Sequence, residues 1–263
     1  MKIYYCNAKT LLDESLFLRG MEYVDSGRRK YIWELKNPLD KARSLGCSLL
    51  YRYAWLQDIA VCSAADPDEA ALYQKLMICG QMISEKKISG AEETYKDKVI
   101  AGAMTEGAAD AYNIPDISIG RNGKPDVAGI CSVHISFSHS GALSAAAYHI
   151  GDHPIGMDIQ RMSGRKVKDH VAEYIMSETE YAEYCAAGQS CGKCAFFYRI
   201  LCCKEAYTKM TGEGILADFG SLDVSEIKKK YHLYSSTIDW NGETYMLSAC
   251  WNEDAEPQIL FHK

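Results

Sequence analysis

Asn241-Gly242 is the dipeptide that most limits what this chain can fold into. It separates two runs with the composition of strands, Tyr231 to Trp240 and Glu243 to Trp251. A two-residue connection joins strands antiparallel, and Asn-Gly suits the turn because both central residues need positive φ. A second hairpin is predicted earlier: Ser132 to Ser138, a tight bend at Ser140-Gly141, then Ala142 to Ile150. The two hairpins end in similar runs, Leu143-Ser144-Ala145-Ala146-Ala147-Tyr148 and Tyr245-Met246-Leu247-Ser248-Ala249-Cys250. A short strand precedes the helices of each set, Ile3 to Cys6 in the first and Ile155 to Gln160 in the second. The order strand, helices, hairpin thus occurs twice. The expectation is an α+β fold of two pseudo-symmetric halves, each strand–helices–antiparallel hairpin. A ligand cleft is expected between them, because domain interfaces favour such sites. The halves are placed at 1–153, with an extended helical region at 62–119, and at 154–263.

Between strands and hairpins the helix signals are local. Asn37-Pro38-Leu39-Asp40 starts a helix whose Leu45, Leu49, Tyr53 and Leu56 recur at helical spacing. Asp66-Pro67-Asp68-Glu69 combines an N-cap, Pro at N1 and acids in the first turn. Leu72, Leu76, Cys79 and Ile83 would follow it on one helical face, and a further helix is expected from Ala91 to Tyr112. Val167, Val171, Tyr174 and Ile175 suggest a helix, and Ser177-Glu178-Thr179-Glu180 has the spacing of a capping box opening another. Phe196 to Met210 is the next, ended by Thr211-Gly212-Glu213-Gly214.

Charge and cysteine usage narrow the class of protein. A net charge of −6 argues against a nucleic-acid surface as the main role, since such surfaces bring a basic excess. No stretch approaches the roughly 20 apolar residues of a membrane span, and the start lacks the apolar region of a signal peptide. With 11 scattered cysteines, an odd number, and no export signal, reduced thiols in the cytoplasm are expected. Arg28-Arg29-Lys30 is read as a solvated helix face.

Several residues do not suit a plain core. Asp158 closes an otherwise apolar strand, and Leu201, Glu205 and Lys209, spaced four apart, share a helix face. Glu205 and Lys209 alone would be a weak surface ion pair. Two carboxylates from opposite lobes, Asp158 and Glu205, with water and phosphate oxygens, would suit Mg2+, which takes oxygen ligands and usually only one or two protein carboxylates. His139, between Ser138 and Ser140 at a strand end, is either a turn residue or a phosphate donor. Arg43 lies near a helix start, where anions are attracted. Lys124 in a Gly-Lys-Pro loop is unremarkable alone. Cys191-Gly192-Lys193-Cys194 is a CxxC with no second CxxC to complete a zinc site.

Taken together, Gly123-Lys124-Pro125, Phe137-Ser138-His139-Ser140-Gly141, Pro154-Ile155-Gly156-Met157-Asp158-Ile159, and Phe197-Tyr198 with Lys204-Glu205-Ala206 and Lys209 resemble, in order and spacing, the 4′-phosphopantetheinyl transferases of the surfactin-synthetase-activating (Sfp) type. Met1-Lys2-Ile3-Tyr4, Arg43-Ser44-Leu45 and Ser177-Glu178-Thr179-Glu180-Tyr181 are similar too. The resemblance implies a pseudo-twofold monomer that binds coenzyme A between its halves. It implies transfer of the phosphopantetheine arm to a serine of an acyl- or peptidyl-carrier protein, with release of 3′,5′-ADP. By matching position, Asp158 and Glu205, with Gln160 beside them, would bind Mg2+ on the pyrophosphate. Glu205 would be the base for the carrier serine, and Lys209 would stabilise the departing phosphate. Ser138, His139, Lys124, Arg43, Ser44 and Lys204 would hold coenzyme A, with Arg28 or Lys30 as further contributors.

Two positions depart from the family. Gln160 stands where a second acid is usual, so the metal site loses one negative charge. Leu201 stands where a tryptophan is usual, followed by Cys202-Cys203. These departures leave a non-catalytic module binding coenzyme A or a carrier protein as an alternative, and the CxxC leaves a zinc-stapled interaction protein as another.

Overall fold

The computed structural model describes residues 1–58, 67–76, 79–85, 114–130, 133–163, 167–187, 190–214, 218–252 and 257–261. Contacts group the chain into two units: Met1–Gly120 with Pro125–His153 and Ala255–Lys263, and Arg121–Lys124 with Pro154–Asp254.

The first unit holds β1 (Lys2–Asn7), α1 (Glu14–Glu22), α2 (Ser26–Glu34), α3 (Pro38–Asp58), α4 (Pro67–Leu76), β2 (Cys79–Glu85), β3 (Ile117–Ile119), β4 (Pro125–Val127), β5 (Val133–Ser140) and β6 (Leu143–Ile150). The last strand of the chain, β10 (Pro257–Phe261), completes its sheet, whose order is β10-β2-β1-β6-β5 with antiparallel neighbours. The second unit holds β7 (Ile155–Arg161), α5 (Asp169–Ile175), α6 (Glu178–Ala186), α7 (Ser190–Thr211), α8 (Val224–Lys228), β8 (His232–Trp240) and β9 (Glu243–Trp251). Its sheet has the order β7-β9-β8, also antiparallel.

Both units therefore set the second strand of the hairpin between the first hairpin strand and the unit's opening strand. The α+β expectation holds in this form. Asn241 and Gly242 have φ of 50° and 77°, the pair of left-handed residues that an Asn-Gly hairpin requires.

In each unit one long helix covers the sheet. In the first, α3 buries Leu45, Leu49 and Leu50 together with Cys6 and Ala146. Backbone contact is close at Gly46, where a Cβ would stand 2.7 Å from Ser144 Oγ. In the second, α7 lies on β7 and β9, burying Ala206, Met210 and Cys250 in one cluster. The capping box opening α6 is present in full: Ser177 Oγ accepts from Glu180 N at 3.3 Å, and Glu180 Oε2 accepts from Ser177 N at 2.9 Å.

Some expectations are corrected. The helix from Pro67 stops at Leu76, and Cys79–Glu85 is a strand, so Cys79 and Ile83 do not continue its face. Pairing with the edge of β1 satisfies that backbone instead. Helix α7 begins at Ser190, before Phe196. Arg28 is not on a solvated face: it is 5% exposed, and its guanidinium donates to Ser44 Oγ at 2.9 Å and Ser48 Oγ at 3.1 Å. Arg29 and Lys30 are exposed as expected. The helix expected from Ala91 to Tyr112 lies outside the described residues.

Candidate active site

Alternation along β7 defines the site. Ile155, Met157 and Ile159 share one face of the strand, while Gly156, Asp158 and Gln160 share the other. The second face meets α7. A Cβ on Gly156 would stand 1.9 Å from Ala206 O and 2.4 Å from Met210 N, so only glycine lets the helix backbone lie this close. Two residues on, the same face carries a carboxylate against that helix. Asp158 is 2% exposed.

The buried charge is met by Lys209, whose Nζ lies 2.7 Å from Asp158 Oδ1 and also donates to Met157 O at 3.2 Å. Gln160 Nε2 donates to Asp158 Oδ2 at 3.2 Å. A carboxylate only accepts, so the amide must turn its nitrogen towards it. Gln160 thus orients Asp158 in this arrangement. Cys202, also on α7 and buried, has its thiol pushed well up by burial and by the neighbouring Asp158. Glu205 is half-buried, and its carboxyl is raised above the usual range by burial first and by Asp158 second, with Lys209 opposing. Lys209 pairs with Asp158, and Glu205, near the same buried carboxylate, is held towards its neutral form.

Asp158 and Glu205 therefore do meet electrostatically, but not from opposite lobes. Both belong to the second unit, on a strand and the helix packed upon it. Among the described residues, no group of three or more His, Cys, Asp or Glu side chains stands ready for a metal. The donor set that exists is two acids and an amide. An excess negative charge over Lys209, with oxygen donors only, fits a hard cation better than a soft one.

Lys204 has a different position from the one expected of a coenzyme-holding residue. Its side chain is 0% exposed, and Nζ lies 2.6 Å from Glu180 Oε2, 2.8 Å from Ile175 O and 2.8 Å from Phe219 O. All three ammonium protons go to partners inside the unit. Lys124 Nζ donates to Met210 O at 2.9 Å, while its neighbour Asn122 donates to Gly212 O at 2.8 Å; both satisfy carbonyls near the C-terminus of α7.

The remaining candidates lie in the first unit. Arg43 binds the carbonyl of Gly141 through Nε at 3.0 Å and Nη2 at 2.6 Å, which ties α3 to the β5–β6 turn beside His139. Its Nη1 pairs with Asp40 at 3.0 Å. Ser44 is buried under the Arg28 guanidinium, and Ser138 is buried on β5, while His139 is exposed. Of the CxxC, Cys194 donates to Ser163 O at 3.3 Å, and the Cys191 side chain lies outside the described residues. The residues that sequence reasoning missed are Cys202 and Glu180. The capping-box spacing marked Glu180 as a helix opener, but it gave no sign that the same carboxylate would receive a buried lysine.

The segment that carries this geometry is similar to known proteins. Residues 154–254, which hold Asp158, Gln160, Glu205 and Lys209, match the family model of the 4′-phosphopantetheinyl transferase superfamily. Relatives with the same description are the 4′-phosphopantetheinyl transferase psf-1 of Bacillus pumilus and the 4′-phosphopantetheinyl transferase gsp of Aneurinibacillus migulanus. The first is 35% identical over 94 residues, covering 36% of this chain and 38% of the relative. The second is 29% identical over 126 residues, covering 46% and 50%. The chain thus matches half or less of the length of these curated relatives. The resemblance read from the sequence motifs is borne out by both comparisons.

Proposed function

We propose that this protein transfers the 4′-phosphopantetheine arm of coenzyme A to a serine of an acyl- or peptidyl-carrier protein, with Mg2+, releasing 3′,5′-ADP. The observation that carries the proposal is the buried Asp158–Lys209 pair with Glu205 beside it, inside the segment that matches the transferase family.

The chemistry follows from the charges. The carrier serine oxygen attacks the phosphorus that bears the pantetheine arm, a new P–O bond forms, and the bond to the departing ADP phosphate breaks. A serine hydroxyl is a weak nucleophile until a base takes its proton. Glu205, beside Asp158 on the helix packed against β7, is assigned as that base. Lys209 supplies a positive charge for the leaving phosphate. Such transfers depend on charge neutralisation and positioning more than on covalent help from the protein. Asp158 and Glu205 would hold Mg2+, and the ion would supply neutralisation of the pyrophosphate. Gln160 would support Asp158 or offer its carbonyl oxygen.

Arg43, Ser44, Lys124, Ser138 and His139 are assigned to the nucleotide end of coenzyme A, on the strength of the motif resemblance. The halves 1–153 and 154–263 are proposed as the functional division, and the protein is proposed to act as a cytoplasmic monomer. Among the described residues, no helix is long and apolar enough to cross a membrane.

The test is mass spectrometry of a panel of apo carrier proteins incubated with coenzyme A and Mg2+. The proposal expects one arm added to one serine, abolished by Glu205→Gln and by chelation of the metal. A second reading, a binding module without catalysis, is favoured by the amide of Gln160 where an acid is usual. It expects carrier or coenzyme A binding with no mass increase.

A further inference from the structure

Lys204 and Glu180 form the most deeply buried ion pair among the described residues of the second unit, and the transfer chemistry makes no use of either. Glu180 Oε2 receives Lys204 Nζ at 2.6 Å and Ser177 N at 2.9 Å, while Oε1 receives Val224 N at 2.8 Å. Lys204 adds the carbonyls of Ile175 and Phe219. One pair therefore joins the end of α5, the start of α6, the turn at Phe219 and the start of α8 to a single point on α7.

That point is next in sequence to Glu205. At about 100° per residue, Glu205 lies about 100° around the helix from Lys204, and Lys209 and Cys202 lie about 140° and 160° around it. The side chains that address Asp158 thus leave α7 on the side away from Lys204. On that near side Phe197, Ile200 and Cys203 pack against Ala172, Met176, Tyr184 and Val224. Apolar packing tolerates small rotations of a helix. An ammonium held by three oxygens, each from a different segment, does not, because a shift of several tenths of an ångström leaves a buried charge underbonded.

On the transferase reading of Glu205 and Lys209, we infer that Lys204 and Glu180 are positioning residues, whose ion pair fixes the rotation of α7 so that Glu205 and Lys209 face Asp158. Lys204 then touches no substrate.

The test replaces both charges at once, Glu180→Gln with Lys204→Met, so that neither is left buried alone. Kinetics with coenzyme A and an apo carrier protein are measured on the folded variant. The expected result is a kcat lower by about tenfold to a hundredfold with KM for coenzyme A within about twofold, the signature of lost alignment without lost contact. An unchanged kcat, or a rise in KM with kcat kept, overturns the inference. The first outcome makes the pair structural only, and the second puts Lys204 on coenzyme A. If the double variant does not fold, Glu180→Gln alone serves, since Lys204 keeps its two carbonyl partners. A wild-type protein with no transfer activity defeats the transferase reading, and thermal melts then judge the positioning role alone. Sites that share no partners normally act additively. If α7 is held as inferred, Lys209→Met lowers Tm less in the variant background than in the wild type. Equal shifts overturn it.

Discussion

The ion pair of Lys209 crosses from helix to strand: its Nζ stands 2.7 Å from Oδ1 of Asp158, on the face of β7 that Gly156 opens to α7. A carboxylate 2% exposed depends on that partner. The pair ties the candidate chemistry to the packing of the second unit.

Lys209→Met is expected to destabilise the protein by about 2 kcal/mol. Leaving a buried charge without its partner costs several kcal/mol, and the 27% exposure of the Lys209 side chain reduces that cost. Adding Asp158→Asn should recover at least half of the loss, because the uncompensated charge is then gone. Urea denaturation of the two variants checks both statements, and equal losses would show that the charge is not what matters.

Gln160→Glu should separate stability from metal affinity. A third carboxylate beside Asp158 and Glu205 lowers Tm without a divalent ion, through like-charge repulsion. With Mg2+ the same charge should tighten binding about tenfold, equivalent to about 1.4 kcal/mol. Calorimetric titration decides; weaker binding would count against the proposed metal site.

Gly156→Ala is expected to cost about 3 kcal/mol, at the upper end of overpacking effects. The atoms that its methyl would strike, Ala206 O and Met210 N, belong to the helix backbone and cannot rotate aside. The strand and α7 must separate, so transfer activity per folded molecule should fall as well. A melt combined with an activity assay tests this.

His149 gives an acid limb to stability. Burial foremost, then the amino terminus, His134 and His153, push its imidazole down to about 3 from 6.5, so it is neutral in the fold. Between those values the unfolded chain binds more protons than the native one, and stability is lost as pH falls below 6.5. The urea midpoint of the wild type should therefore drop from pH 7 to pH 5. In His149→Gln the drop should be less than half as large. Equal slopes would refute the role of this histidine.

Much of the fold was legible because its signals are local. Asn241-Gly242 dictates a turn through its own φ preferences, Ser177 and Glu180 cap their own helix, and Leu45, Leu49 and Leu56 reveal a helical stripe by spacing alone. The Cys79–Glu85 strand was missed because its pairing partner, β1, lies more than seventy residues away in sequence. Asp158, Glu205 and Lys209 were recognisable as chemistry-bearing residues by type and order.

Which charge meets which was decided by tertiary structure. Spacing offered Glu205 as the partner of Lys209; packing of α7 on β7 made it Asp158. Order along the chain grouped Lys204 with the ligand-holding residues, yet the helix turns it inward onto Glu180. A cluster of three basic residues looked like a solvated face until α3 covered Arg28. Sequence determined the two hairpins, the locally capped helices and the residue types of the site, because those depend on neighbours a few positions apart. Only the folded chain could assign burial and partners, because these depend on which distant surface excludes water from each charge.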